Sequence, residues 1–357
     1  MRGGYVHTGM SSPSQIPPLP CAPQEVDTFI SRPQPGTLET LQEYPGDILV
    51  LGAGGKMGLH LCRMLAEGSR LAGMPRTVYA ASRFRTLAGR EAYESAGIRT
   101  LVGDFRDQGF LDSLPDCPLV FYLVGAKFGT AGNPGLLEEI NVRLPLRVAE
   151  RFSSARTVAF STGCVYSYTT PASCGSVESS PLEPVGEYAR SCLGREEAFN
   201  EVSARHRTPV VLVRLNYSVE FRYGVPVDIA RKVLSGEPID LGMGYVNIIW
   251  QGDALNHIIQ CLSLASSPPV PINITGREIL RVRDLATRLG QLLGREPVFT
   301  GEESETAWLS NASHSHRLFG APLASPEQIL QWVAAWQARE QPVYDKPTGF
   351  ERRDGNF

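Results

Sequence analysis

An apolar run, DILVLG (47–52), ends in Gly52-Ala53-Gly54-Gly55-Lys56-Met57-Gly58 and passes at once into an amphipathic stretch from Met57 to Glu67. Few folds accept a strand that turns into a helix through glycines spaced by two. Glycines at 52, 55 and 58 let the backbone turn sharply and bring its N–H groups against a pyrophosphate, and the helix N-terminus adds partial positive charge. A P-loop instead needs four residues between its glycines and a Ser or Thr after its Lys, whereas Met57 follows Lys56. The spacing predicts a dinucleotide site, with Gly52, Gly55, Lys56, Met57 and Gly58 as contacts.

The pattern downstream fits such a site. Short β-rich runs alternate with helical stretches: TVYAAS (77–82), IRTLVG (98–103), LVFYLV (119–124), RTVAFS (156–161) and PVVLVR (209–214), with Leu136 to Phe152 amphipathic between two of them. Strands apolar on both faces and separated by helices predict an α/β fold, a doubly wound parallel sheet. Helical stretches near 226–235, 252–265, 281–293 and 326–338 predict a smaller C-terminal α/β substrate domain over the sheet's C-terminal edge. Residues 1–45 hold eight of the 27 prolines and read as an extension, disordered or surface-wrapping over about the first 25 residues, with one short helix from Thr37 to Tyr44 capped by Thr37. The expected division is therefore 1–45 extension, 46–215 dinucleotide-binding domain, 216–340 mainly substrate domain with some segments returning to the sheet, and 341–357 tail.

Composition narrows the class. A formal net charge of -3 gives no global basic field for nucleic acid or an anionic membrane. The longest apolar runs, Ile48 to Leu51 and Pro118 to Val124, fall far short of the ~20 residues of a membrane helix. Seven scattered cysteines without CxxC spacing, behind an N-terminus that lacks a signal peptide's apolar segment, predict reduced thiols and a cytoplasmic protein, with no zinc site. His314 and His316 read as a solvated loop pair. The tryptophans at 250, 332 and 336 read as core anchors. All but four of the 34 cationic residues are arginine; the lysines are Lys56, Lys127, Lys232 and Lys346.

The end of the second strand bears on the cofactor. An acidic residue there would bond the ribose 2′-OH of NAD, but the chain has Ser82-Arg83. A hydroxyl and a guanidinium suit a 2′-phosphate, so NADP is favoured over NAD. Asp104 and Phe105, after the third strand, are placed for the adenine; a loop aspartate capping the next helix is the competing reading.

Together these motifs resemble the extended short-chain dehydrogenase/reductase superfamily, in its NAD-dependent epimerase/dehydratase branch, over about residues 47–338. The marks are the glycine loop, Gly103-Asp104, the strand ending Leu123-Val124-Gly125-Ala126-Lys127, Asn141, Ser161-Thr162-Gly163-Cys164-Val165-Tyr166, Tyr188-Ala189-Arg190-Ser191-Cys192, Asn273-Ile274-Thr275-Gly276, and Asn311 to Gly320. The resemblance implies a Rossmann-type fold and NAD(P) contacts from Val124, Gly125, Lys127, Asn141 and Tyr188. It implies that Thr162 bonds the substrate hydroxyl or carbonyl, beside Cys164, and that Tyr188 moves a proton while hydride passes to or from nicotinamide. It also implies a homodimer through the helices at 133–152 and 184–204.

One family position departs. The pattern is Tyr-x-x-x-Lys, and Cys192 stands where the lysine belongs. That cation favours phenolate, and without it a tyrosine of ordinary pKa near 10 is a poor base at neutral pH. Lys127 is a candidate to supply the charge, since Gly125-Ala126-Lys127 is similar to the loop of UDP-galactose 4-epimerases that carries a cofactor-contacting lysine. Arg195, on the same helix face, is another.

Family dehydratases place an Asp-Glu pair after the Thr; Gly163-Cys164 disfavours that chemistry. The segment Gly244 to Trp250 lacks the Arg with which nucleotide-sugar epimerases hold the substrate diphosphate, which favours a smaller substrate. Polar candidates for its pocket are Asn216, Tyr217, Arg222, Tyr223 and Asn247. Three readings stand: an NAD(P)-dependent oxidoreductase or epimerase acting on a secondary alcohol or ketone of a sugar or sugar-acid-like small molecule; a catalytically impaired NAD(P)H sensor; and a lyase or isomerase using bound NAD(P) without net redox.

Overall fold

Seven short runs, most of them too apolar to expose a face, pair side by side in the computed structural model, which describes residues 19–20, 22–85, 89–127 and 133–355. They are β1 (Ile48–Leu51), β2 (Val78–Ser82), β3 (Arg99–Val102), β4 (Leu119–Tyr122), β5 (Arg156–Thr162), β6 (Val210–Leu215) and β7 (Val270–Ile274). The sheet order is β7-β6-β5-β4-β1-β2-β3 and every pairing is parallel. β1 is buried throughout, in register with β2 (Ile48 opposite Val78) and β4 (Ile48 opposite Leu119). The strand order reverses between β1 and β4, so the loops after them open a crevice at the sheet's carboxyl edge. This is the doubly wound parallel sheet that the periodicity predicts, with the Rossmann-type order that the resemblance implies.

β7 was not among the expected strands. Pro271 sits within it, and a proline removes a ladder donor; the strand tolerates this because it forms the sheet's edge.

The N-terminal segment is also more ordered than its prolines predict. Two helices form in place of one, α1 (Pro23–Ile30) and α2 (Pro35–Glu43), each with proline at its first position, where no N–H is needed. Thr37 is not the cap. It lies inside α2, buried, and donates to Asn256 Oδ1 at 2.6 Å. Phe29 of α1 enters an aromatic cluster with Phe221, Trp250 and Trp332 at centroid distances of 5.4 to 6.0 Å. Trp336 joins through Phe221 at 5.3 Å, so all three expected tryptophans are core anchors. The expected disorder of residues 1–18 and of Cys21 lies outside the described residues.

Helix α3 (Gly58–Leu71) follows the glycine loop, and helical segments from Pro134 to Arg151 include a π-turn at Glu139–Arg143. The long α4 (Gly186–His206) ends where Arg207 turns left-handed at φ 60°. A buried brace fixes α4 to the sheet: Arg214 of β6 forks onto Glu196 at 3.0 and 2.7 Å, and Glu196 also accepts from Ser161 at 2.5 Å. Removing one member of such a pair costs about 3–5 kcal/mol, because it strands a buried charge.

Beyond β6, α5 (Val225–Ser235), α6 (Gln251–Gln260), α7 (Val282–Leu293) and α8 (Pro326–Ala338) match the four expected helical stretches, the second of which continues as a 3-10 turn at Cys261–Leu264. Among them lie three short strand pairs, Ser218–Val219 with Ile249–Trp250, Tyr245–Val246 with Leu280–Arg281, and Ile239–Asp240 with Phe299–Thr300. His314 and His316 are in a short helix, Ser313–Phe319, not a loop; His316 Nε2 lies 3.0 Å from the Thr275 carbonyl. Among the described residues no helix is long and apolar enough to cross a membrane.

Candidate functional site

A cleft of about 680 Å³ runs along the carboxyl edge of the sheet. Its floor is the glycine loop. Gly52 has φ +83°, and a Cβ there would lie 2.8 Å from the Val124 amide nitrogen; at Gly58 it would lie 1.9 Å from the Ala53 carbonyl oxygen. Only glycine lets β1, the loop after β4 and the start of α3 approach this closely. Gly55, by contrast, is exposed on the cleft side.

The outer end of the cleft is lined with guanidinium groups. Arg83, Arg85 and Arg106 stand there with one carboxylate, Asp104. Arg106 hydrogen-bonds Asp104 at 2.7 Å, holding its carboxyl down to about 2, and Arg83 lies 3.8 Å away. Asp104 is therefore engaged by arginine in this state. Ser82 and Phe105 complete this end.

At the inner end the loop Leu123–Lys127 is positioned from beneath. Asn141, on the π-turn, accepts from the Ala126 amide and donates to the Ala126 carbonyl, both at 2.9 Å. Its Oδ1 also accepts from Arg195 at 2.9 Å. A Cβ at Gly125 would lie 2.6 Å from the Arg195 guanidinium, so the loop rests on that cation. Asn141 is thus a buried brace, not part of the cleft wall.

Tyr188 and Cys192 lie one turn apart on α4, and their side chains hydrogen-bond each other. Burial, followed by the neighbouring Cys192 and Cys164, pushes the Tyr188 hydroxyl well above its ordinary value; Arg195 opposes this. Burial also raises the Cys192 thiol. The Lys127 ammonium lies 5.7 Å from the Tyr188 ring centroid and lines the cleft, and burial lowers its pKa. Thr162 lines the cleft too, its hydroxyl accepting from the Cys164 amide at 3.2 Å.

Of the residues singled out in the sequence, Gly52, Gly55, Lys56, Met57, Ser82, Arg83, Asp104, Phe105, Val124, Gly125, Lys127, Thr162, Cys164, Asn216, Tyr217 and Tyr223 share this one cleft. Gly58, Asn141 and Cys192 are buried behind it, and the half-buried Tyr188 stands at its edge beside the lining Lys127. Two lie elsewhere. Arg222 is held by Asp27 (3.0 Å) and Glu220 (3.2 Å) and stacks 4.9 Å from the Tyr344 ring. Asn247 is buried, donating to the Glu278 carbonyl and accepting from the Ser310 amide. Neither lines the cleft.

Among the lining residues that escaped the sequence reading are Arg85, Arg106, Lys346 and Thr348. The last two come from the C-terminal segment, which folds back so that the Thr348 amide donates to Asp228 at 2.7 Å and Lys127 reaches the Thr348 carbonyl at 3.5 Å. The scarcity of lysine was the available signal for Lys346.

The NAD dependent epimerase/dehydratase family matches residues 48–242. MoeE5, solved in complex with UDP-glucose and NAD, superposes with a TM-score of 0.67 at 20% identity, covering 83% of this chain and 99% of its own. UDP-glucuronic acid 4-epimerase from Bacillus cereus, solved with NAD, gives 0.68 at 17%, covering 82% and 99%. UDP-glucose 4-epimerase from Thermus thermophilus, also solved with NAD, gives 0.67 at 17%, covering 82% and 99%. At these identities the likeness establishes the fold. No curated protein matches the chain.

Proposed function

The chain belongs to the NAD-dependent epimerase/dehydratase family, and from that premise we propose an NAD(P)-dependent oxidoreductase or epimerase acting on a secondary alcohol or ketone of a sugar-like small molecule. The observation that carries this reading is the single cleft that joins the glycine loop, the Ser82–Arg83 and Asp104 strand ends, Lys127 and Thr162. The glycine cradle fits a dinucleotide pyrophosphate, since side chains are excluded where Gly52 and Gly58 meet their neighbours. Bound there, the nicotinamide supplies or accepts hydride.

Three guanidinium groups against one carboxylate at the outer end support NADP(H), whose extra phosphate Arg can grip in bidentate fashion. The solved relatives hold NAD, so the phosphate preference rests on Arg83, Arg85 and Arg106 alone.

In the proposed reaction Thr162 orients the substrate oxygen and Tyr188 hands it a proton, regained from solvent afterwards. A phenol kept neutral by burial and by Cys192 can donate but is a poor base, which favours carbonyl reduction over alcohol oxidation. Lys127 and Arg195 are the cations near Tyr188 where the family lysine is missing.

The test is NADPH consumption at 340 nm across a panel of keto-sugars, with polyols and NADP⁺ for the reverse direction. Turnover is expected in the reductive direction, and Tyr188→Phe lowers it by ~10²-fold or more. Retained activity in Tyr188→Phe makes the tyrosine structural. NADPH binding without turnover of any panel member favours the sensor reading, which the burial of the Tyr188–Cys192 pair supports.

A further inference from the structure

Three of the chain's four lysines line the same cleft, at the end away from Asp104. The Lys56 ammonium leaves the glycine loop and sits 3.3 Å over the Tyr223 ring. Lys127 stands beside Tyr188 and reaches the Thr348 carbonyl. Lys346 lies two residues before Thr348.

The segment carrying Lys346 is fastened on both sides of it. The Tyr344 amide donates to the Arg222 carbonyl at 2.9 Å. Lys232, the fourth lysine, pairs with Glu351 at 2.5 Å. Arg353 donates to the Thr306 carbonyl at 2.6 Å and stacks 4.3 Å from the Tyr168 ring. An exposed lysine is thus presented to the cleft by a fixed backbone.

Among the described residues the only acid lining the cleft is Asp104, at the other end and engaged by Arg106. The carboxylates behind the lysines have other donors: Glu220 holds Arg222, and Asp228 accepts from the Thr348 amide. Gathering three ammonium groups without lining carboxylates raises electrostatic repulsion that an anion would relieve.

Resting on the proposed NAD(P)-dependent reaction in this cleft, we propose that Lys56, Lys127 and Lys346 form an anion subsite for a substrate bearing a carboxylate close to its reacting carbon. Lys346 is its specificity-determining residue. The glycine-loop amides and the three arginines would serve the dinucleotide's own phosphates, which leaves Lys56 and Lys127, expected from the sequence as cofactor contacts, to the substrate. Lys127 stands beside Tyr188, and Lys56 and Lys346 line the same end of the cleft, away from the adenine end. Ammonium groups are compact point charges, suited to one carboxylate on a small ring.

The full-length chain, saturated with NADPH, is titrated calorimetrically with D-glucuronate, D-galacturonate, glucose 6-phosphate, UDP-glucose and D-glucose. At least one uronate binds more than tenfold tighter than glucose. Lys346→Gln weakens that uronate by about tenfold, and glucose and NADPH by less than twofold. Lys56→Gln weakens the uronate similarly, a second variant on a different element. Equal binding of uronate and glucose overturns the subsite. So does loss of NADPH affinity larger than the loss for uronate in both variants, which assigns the lysines to the cofactor. Binding of glucose 6-phosphate or UDP-glucose but of neither uronate, with the same sensitivity to Lys346→Gln, moves the subsite to phosphate and overturns the carboxylate assignment. Failure of NADPH to saturate breaks the functional reading itself and is seen before any sugar is added.

Discussion

The two ends of the cleft carry the same sign of charge by different means. At the outer end Arg83, Arg85 and Arg106 are exposed, and Asp104 already holds one of them at 2.7 Å. At the inner end Lys56 and Lys127 are half-buried, and burial lowers both. Arginine stays charged anywhere, so an exposed cluster binds phosphate at every physiological pH. A buried lysine is adjustable. Its charge depends on what lies beside it, which suits a place where substrate enters and leaves. In a chain that otherwise prefers arginine, three of the four lysines line the inner end.

A lysine added at the inner end gives the largest effect. Cys192→Lys puts a cation one turn from Tyr188, favours phenolate, and lowers the hydroxyl's pKa. NADP⁺-dependent oxidation at pH 7 then rises by about 10- to 100-fold, and the acidic limb of its pH profile moves down. A variant that melts like the parent yet keeps the parent profile removes Cys192 from the account.

Removing an arginine at the outer end comes next. Arg83→Ser weakens NADPH by about tenfold, with NADH held within twofold, read by fluorescence titration. Equal losses for both nucleotides make Arg83 a general contact and erase the contrast between the ends.

The smallest effect is a pH dependence that only the lysine end should show. Burial brings Lys56 down to about 7; Lys127 and Lys346 add to this, Glu220 and Asp228 oppose it, and Tyr223 lies beneath. The group is charged below that value, and a bound carboxylate raises it. Uronate affinity is therefore flat in acid and falls by about fivefold from pH 7 to 8. In Lys56→Gln that slope disappears. An unchanged slope places the titration elsewhere.

How much of this was legible beforehand follows the range of the forces. The glycine loop and six strands announced themselves through local spacing and apolar runs. β7 was hidden by Pro271, because sequence shows a proline but not that its strand lies at an edge. Helix α1 was hidden because Phe29 finds its partners, Trp250 and Trp332, more than 200 residues away. Arg222 and Asn247 were reasonable ligand candidates by type, yet burial beside Asp27, Glu220 and Ser310 claims them. The 341–355 segment has no periodicity, being held by single contacts such as Lys232 with Glu351, so its share of the cleft was invisible. Only the rarity of lysine pointed toward it.

The central claim is that this cleft is a dinucleotide site. Its most direct measurement is titration of the intact chain with NADPH and NADH, followed by nucleotide fluorescence. Saturation at one nucleotide per chain, with NADPH half-saturating at or below tens of micromolar and binding more tightly than NADH, is the predicted result. No saturation by either nucleotide contradicts it.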